Sequence, residues 1–479
     1  MRFLKFLVLS LTISSLTGWS GAVWAQQPAT PPPAGTNQPP AGSGSPYGQY
    51  PVEPGATAGA AASATPAPAD TLHVTIDQAL AFFMQRNYNL IAQRYNVNAA
   101  QAAVVQAGLR DNPNVGGSVN AYNPQTKTLF PFGPSNVADA NGNATGNTVT
   151  ANVQQLINLS RSRAKLVQLS STNVAVQQAA FEDLLRTARY QLAQTFYNVI
   201  AERRRLDLLR QQREQLGRLL VGFREQLRLG TVAGFEVTRL ELEHQGLEKD
   251  RSDQLVQLGQ DEAALRVFLA VPGTSFVAPE GQELLPEAPA TLPTLAELTA
   301  LAYQNRPDLR AATRQIDYAS QNLRLQHALA VPKLLLGLSY ASYGSTYPGF
   351  YALEAAIDVP VFNRNQGNIQ AAQVGIQQNA VLLNQVNLQV SQDVAAALEQ
   401  LQHASDLRQR LTPQFVNSIQ EVSRNATRDY QRRLIDLVSF IDKIRAYKDA
   451  KLLLIDVGNR LELAKQQVNY VTNTPVYHN

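Results

Sequence analysis

Residues Arg161 to Leu229 run without a proline, and without a glycine before Gly217 and Gly222. The stretch is rich in Leu, Ala, Gln, Arg and Glu, whose side chains lose little rotamer freedom in a helix. Apolar residues recur at helical steps: Phe181, Leu184, Ala188, Leu192, Phe196 and Ile200, then Leu206, Leu209, Leu216, Leu220 and Phe223. At ~1.5 Å per residue such a helix is roughly 100 Å long. Ordinary domains are built from helices of about 11–12 residues. The stretch therefore calls for a long tube, a coiled-coil rod or a repeat. A second stretch, Gln366 to Arg432, has nearly the same length and composition and is interrupted once, at Pro413. Proline inside a straight helix costs about 3 kcal/mol, so a bend is expected there.

Two rods of equal length in one chain point to an internal duplication. Thr75 aligns with Thr294, Leu90 with Leu309, Ala100 with Ala319 and Pro113 with Pro332, each pair at the same offset of 219. No gap is needed across the whole segment. Each half then reads alike: a helix ended by proline, two short alternating segments, the long helix, a break and a shorter helix. The first repeat is predicted over 71–290, with strands at about 114–123 and 147–158, a long helix over 161–229 and a helix over 235–270. The second is predicted over 291–479, with a helix over 294–331, strands at about 333–343 and 350–361, a long helix over 366–432 and a helix over 437–470. In the first repeat the opening helix starts at Thr75 and runs to about Arg110.

The amino terminus reads as a secretory signal over 1–25. Arg2 and Lys5 are its basic start, Phe6 to Leu16 its short apolar core, and Ala22-Val23-Trp24-Ala25 its small-x-small cleavage pattern. Residues 26–70 are rich in Pro, Gly and Ala and cannot bury a core, so they read as a disordered tether. The net charge is +4. Without Arg2 and Lys5 it falls to about +2 (4 − 2), too little to argue for nucleic acid. There is no cysteine, which excludes disulfides, thiolate metal sites, a cysteine nucleophile and an acylated amino-terminal cysteine.

After each proline the hydrophobic period changes from 3.6 to 2. Leu334, Leu336, Leu338 and Tyr340 alternate with Gly337, Ser339 and Ala341. Tyr351, Leu353, Ala355, Ile357 and Val359 alternate with Ala352, Glu354, Ala356 and Asp358. Segments of about 10 residues with this pattern fit tilted membrane strands. Tyr340, Tyr343, Tyr347, Phe350 and Tyr351 cluster at the hairpin end, as an interfacial girdle does. The first repeat carries a fainter version in Val115, Gly117, Val119 and Ala121, then Val149, Ala151, Val153 and Ile157, joined by the loop Asn123 to Asn147. A soluble four-stranded sheet is the bland alternative. Four strands cannot close a barrel in lipid, where an open edge leaves backbone groups unpaired. Membrane strands here would require several chains to share one barrel. Three chains give twelve strands; two or four also satisfy closure.

The duplicated helix ending in Pro113 and Pro332 resembles that of the TolC-like outer-membrane efflux proteins. So does the junction Asp358-Val359-Pro360-Val361-Phe362-Asn363-Arg364-Asn365-Gln366-Gly367, which is similar to the version in cation and heavy-metal efflux members. Leu229-Gly230-Thr231 before Phe235-Glu236-Val237 resembles the family's first hairpin tip. The resemblance covers about residues 72–472. It implies a mainly α chain with a membrane β part: duplicated long helical hairpins forming a trimeric periplasmic α-barrel, and four strands per chain giving a twelve-stranded outer-membrane β-barrel. It also implies a homotrimer in outer-membrane lipid, docked to a periplasmic adaptor protein and an inner-membrane pump. This chain departs at Arg433, where the family usually has glycine, so a wider second turn or a different adaptor contact is expected. It departs again at Leu269-Ala270, in place of a Leu-Gly pair.

No catalytic constellation and no metal or cofactor site is visible; His73, His244, His327, His403 and His478 are scattered. Glu354 and Asp358 lie on the polar strand face, where lumen charges tune passage of ions. The expected tip, gate and adaptor-docking residues are Gly230, Thr231, Glu236 and Arg239 on one hairpin and Tyr430, Arg433, Asp436 and Lys443 on the other. Opposed charges there, Asp436 with Arg433 or Arg239, would hold the mouth shut. The run Glu202-Arg203-Arg204-Arg205 reads as a solvated face in mid-rod. The function expected is a passive exit duct of a tripartite efflux or secretion system. A periplasmic adaptor and a trimeric coiled-coil adhesin are the alternatives. An adaptor needs one hairpin flanked by β-rich segments, and an adhesin needs strict heptads without a 219-residue duplication.

Overall fold

The computed structural model describes residues 71–119, 121–123, 127–129, 149–273, 276–281, 284–343 and 348–477. The leader over 1–25, the tether over 26–70, most of the loop after Asn123, Tyr347 and His478 lie outside the described residues. In chain order the elements are β1 (Thr71–Val74), α1 (Ile76–Arg86), α2 (Tyr88–Gly108), β2 (Asn114–Val119), β3 (Tyr122–Asn123), β4 (Thr128–Leu129), β5 (Val149–Asn158), α3 (Ser162–Arg228), α4 (Gly234–Leu269), β6 (Phe276–Pro279), α5 (Leu295–Asn305), α6 (Pro307–Leu329), β7 (Lys333–Tyr343), β8 (Pro348–Ile357), α7 (Gln366–Arg410), α8 (Pro413–Gln431) and α9 (Leu437–Thr472).

The 219 offset holds at atomic detail. α1 and α5 are each 11 residues long and begin at equivalent positions. Thr75 and Thr294 each close a capping box, with Gln78 and Glu297 respectively. That arrangement satisfies two orphan amides at each helix start. The structure corrects the expectation of one continuous helix in this segment. The chain leaves helical geometry at Asn87 and again at Arg306, both extended, before α2 and α6. Pro307 enforces the second break, because a residue preceding proline is pushed out of the helical region. Asn87 makes the first by capping: its side chain accepts from the Leu90 amide at 3.1 Å and donates to the Phe268 carbonyl at 3.1 Å.

α3 is one helix of 67 residues, about 100 Å from end to end. Its counterpart is divided. α7 stops at Arg410, Leu411 and Thr412 turn, and Pro413 opens α8 with Thr412 as its cap, accepting from the Phe415 amide at 3.2 Å. The expected bend is therefore a clean break. Proline at the first helical position lacks only an amide hydrogen that no intrahelical partner needed. Both long helices start after a left-handed residue, Arg161 and Asn365.

α3 is flanked by α2 and α6 toward the strands, and α7 lies beyond α6. Toward the other end α3 lies between α4 and α9, with α8 beyond α9. The core follows this arrangement in four clusters. One gathers Phe83, Leu192, Phe196, Leu265 and Leu269. The second-repeat equivalent gathers Leu298, Val390, Leu401, Leu461 and Val468. A third, at the far end, holds Phe223, Leu240, Phe440 and Ile441. A fourth, around the α7–α8 break, holds Leu411, Ile419, Leu454 and Val457. A parallel ladder that the sequence reading did not anticipate, β1 with β6, seals the first cluster through Val74 and Val277. The linker at Leu284 crosses α9 so closely that a Cβ on Gly458 would run into the Leu284 carbonyl oxygen.

The main sheet has the order β2-β5-β7-β8, antiparallel throughout. A short β3–β4 ladder lies apart from it. Since α3 begins four residues after β5 ends, this sheet and the α3–α4 turn lie at opposite ends of α3.

Candidate functional site

Two regions carry functional geometry, the sheet and the hairpin tips. In the sheet, residues paired across antiparallel strands share a face. Val115, Val153, Leu338 and Leu353 form one such row, and Ile157, Leu334 and Ile357 another. Leu336 and Ala355 lie on the same face. So do Tyr340 and Tyr351, whose rings lie 5.0 Å apart. This apolar face is open in the single chain: Leu353 is 89% exposed and Tyr351 70%. The opposite face carries Ser118, Thr150, Asn152, Gln154, Ser339 and Glu354. There Ser118 and Thr150 share a hydroxyl hydrogen bond of 2.7 Å, and Gln154 Nε2 donates to Glu354 Oε2 at 3.4 Å. Asp358 follows β8 directly, its amide donating to the Lys333 carbonyl. β2 and β8 are the outer strands of the sheet, and neither has a second strand partner among the described residues.

The tips are two copies of one turn. After α3, the Thr231 amide donates to the Gln226 carbonyl at 2.9 Å and the Gly230 amide to Leu227 at 2.9 Å, with Gly230 left-handed at φ 74°. After α8, the Leu434 amide donates to Asp429 at 2.8 Å and the Arg433 amide to Tyr430 at 2.9 Å, with Arg433 left-handed at φ 58°. Both are Schellman closures, which satisfy orphan carbonyls at a helix end. The second turn is thus no wider than the first, so of the two expected consequences of Arg433 the wider turn is not seen. Its six-to-one hydrogen bond is the same, and Arg433 takes the strained conformation that glycine adopts freely.

Within a single chain, Asp436 is engaged by its own helix rather than by a tip cation. Asp436 is the cap of α9, accepting from the Ser439 amide at 2.9 Å. Hydrogen bonding from the Ser439 side chain, then from its amide, with a smaller pull from Arg239, holds the Asp436 carboxyl below the usual range. Arg239 is thus near Asp436, but neither Arg239 nor Arg433 is within ion-pair distance of it. Arg433 and Lys443 are exposed. The organising side chain is Tyr430. It stacks on Phe223 at 5.8 Å and lies tilted against Phe440 at 4.9 Å, and burial together with nearby Glu236 pushes its hydroxyl pKa up. Further along, Arg445 of α9 pairs with Glu243 of α4, and Lys448 with Asp250 at 3.2 Å. These two cross-hairpin pairs were missed from sequence, because partners about 200 residues apart leave no local signal.

The run Glu202-Arg203-Arg204-Arg205 is not a solvated face. Arg203 bonds Glu262 at 2.7 Å and the Val277 carbonyl at 2.5 Å, and its guanidinium lies over the Phe276 ring. Arg205 pairs with Asp456. Glu202 is only 4% exposed. Three elements converge on this part of α3, so helical periodicity alone assigned it wrongly. Among the described residues no three His, Asp or Glu side chains gather as a metal site would need, and no helix is long and apolar enough to cross a membrane.

Residues 298–474 match the family model described as outer membrane efflux protein. Along most of its length the chain is similar to outer-membrane efflux proteins. Cobalt-zinc-cadmium resistance protein CzcC of Cupriavidus metallidurans is 20% identical over 387 residues, which covers 80% of this chain and 86% of CzcC. Pyoverdine export outer membrane protein OpmQ of Pseudomonas putida is 30% identical over 173 residues, 34% of this chain and 35% of OpmQ. The solved structure of CusC shares the fold at a TM-score of 0.64 with 18% identity, covering 85% of this chain and 97% of that one. The outer membrane protein VceC of Vibrio cholerae does so at 0.62 with 15% identity, covering 83% and 96%. The chain is accordingly an outer-membrane efflux channel protein that extends into the periplasm.

Proposed function

We propose that three copies of the chain close one twelve-stranded barrel and form a passive exit duct. A periplasmic adaptor docking at the helix tips opens it, and an inner-membrane pump drives it. The observation that carries this reading is the four-stranded sheet with two free edges, an apolar face on one side and a polar face on the other. In lipid such edges must be paired. β2 and β8 run in opposite directions, so the β8 of one chain placed beside the β2 of the next continues the antiparallel order. The polar face, with Glu354 and Asp358, then lines the water-filled interior. The relatives named for metal cations and for pyoverdine differ in cargo, in keeping with a duct that takes its selectivity from its pump.

The mouth lies at the tips, where Gly230, Thr231 and Arg433 set the turns and Glu236, Arg239, Asp436 and Lys443 offer charge to a partner. Tyr430 and its aromatic neighbours hold the two hairpins together. Planar-bilayer recordings test the gate. Asp436→Asn keeps the cap, since Asn and Asp cap comparably, but removes the charge; it should raise single-channel conductance, as should Asp436→Ala. Unchanged conductance in both, with the trimer intact, would shift the gate to the Tyr430 cluster.

A further inference from the structure

Glu202, in mid-rod, has surroundings that contradict its charge. It projects from α3 toward α4 and is 4% exposed, and its Oε2 is buried without a hydrogen-bond partner. The group it meets is another carboxylate, Asp261 of α4. The cations nearby are engaged elsewhere: Arg203 with Glu262 and the Val277 carbonyl, Arg205 with Asp456. Arg204, two residues on and about 200° around the helix, lines the small cavity against α9. Arg266 approaches Glu262, at 4.0 Å. Two carboxylates in contact, one of them buried and the other half-buried, cannot both ionise cheaply, and a shared proton is the ordinary resolution.

We propose that Glu202 and Asp261 form a proton-binding site that fastens α3 to α4, closed when one proton is bound and loosened when it leaves. In the closed form the Glu202 hydroxyl donates to the Asp261 carboxylate. When the proton leaves, two negative charges face each other; Arg205 offsets them in part, while the neighbouring Glu262 is itself held by Arg203. Burial first, then Asp261, pushes Glu202 up to about 7, while Arg205 opposes the rise and Glu262 adds to it. The sign follows from linkage. The folded pKa lies above the unfolded value of 4.5. The folded protein therefore holds the extra proton between the two, and stability falls as pH rises through about 7. The site does not depend on the gate or on the cargo. It makes the α3–α4 hairpin, whose far end is a tip, looser at higher periplasmic pH.

The test uses the full-length trimer in detergent and infrared difference spectroscopy across about pH 5 to pH 9, with thermal unfolding alongside. In the native protein a protonated-carboxyl band should disappear near pH 7, and the unfolding midpoint should fall over the same interval. Glu202→Gln should lack the band and show a flat midpoint there, above the native value at about pH 9. Asp261→Asn removes the opposing charge, so the band should titrate at least about one pH unit lower. A native protein with no carboxyl titrating near 7, or a Glu202→Gln protein that keeps the band, would overturn the proposal. So would Asp261→Asn with the band unmoved, which also covers the case in which Glu202→Gln does not fold.

Discussion

Arg433 and Gly230 do the same job at equivalent points of the two tips, and only one is suited to it. A side chain at positive φ crowds the following carbonyl, at a cost of roughly 1–2 kcal/mol. Arg433→Gly should therefore stabilise the trimer by about 1 kcal/mol, read as a higher unfolding midpoint. Gly230→Ala should lower it by a similar amount. If adaptor binding weakens in Arg433→Gly while stability rises, the arginine is kept for contact rather than for the turn. Arg306 is a residue of another kind. It is 2% exposed and holds Asp308 at 2.6 Å and Asp393 at 2.9 Å, while Asp308 reaches Arg186 of α3 at 3.4 Å. Removing one partner of a buried ionic group leaves an uncompensated charge, so Arg306→Ala should destabilise by about 3–5 kcal/mol in chemical denaturation.

At the scale of elements, the strands offer the sharpest contrast. Leu336 and Ile357 lie on the apolar face, Ala341 and Ala356 on the polar one. Arginine at Leu336 or Ile357 should cost about 2–4 kcal/mol near the membrane midplane and cut insertion. Arginine at Ala341 or Ala356 should be tolerated; equal outcomes on both faces would contradict the orientation of the sheet. The face alternation, the two rods and the 219-residue repeat were legible because each is a periodicity, and periodicity is what sequence displays. The breaks at Asn87 and Arg306 leave no such trace: a residue that caps the next helix looks like any polar residue, and Pro307 has no proline at its equivalent in the first repeat, Tyr88. The β1–β6 ladder is invisible for a plainer reason, since four-residue strands some 200 residues apart have no pattern of their own. In the candidate site the turn positions were readable from Gly230 and the helix lengths. The partners of Asp436, Tyr430 and Glu202 were not, because they come from packing between hairpins.

For the whole molecule, the central claim is that one chain is a third of a barrel. A single chain presents an apolar sheet face and two free edges, so the closed form is reached only by association. β2 and β8 lie at opposite edges of one sheet, three strand spacings apart, or about 14 Å. A disulfide needs Cα atoms within about 7 Å, so no bond can join these two strands within one chain. The protein has no cysteine of its own, which leaves the background clean. The deciding measurement is oxidative cross-linking in native outer membranes of Val115→Cys combined in turn with Tyr351→Cys, Leu353→Cys, Ala355→Cys or Ile357→Cys, all on the apolar face. At least one pair should give a covalent ladder of one, two and three chains that ends at three. A ladder that ends at two or four, or cysteines that stay free in every pair although the protein is inserted, would contradict it.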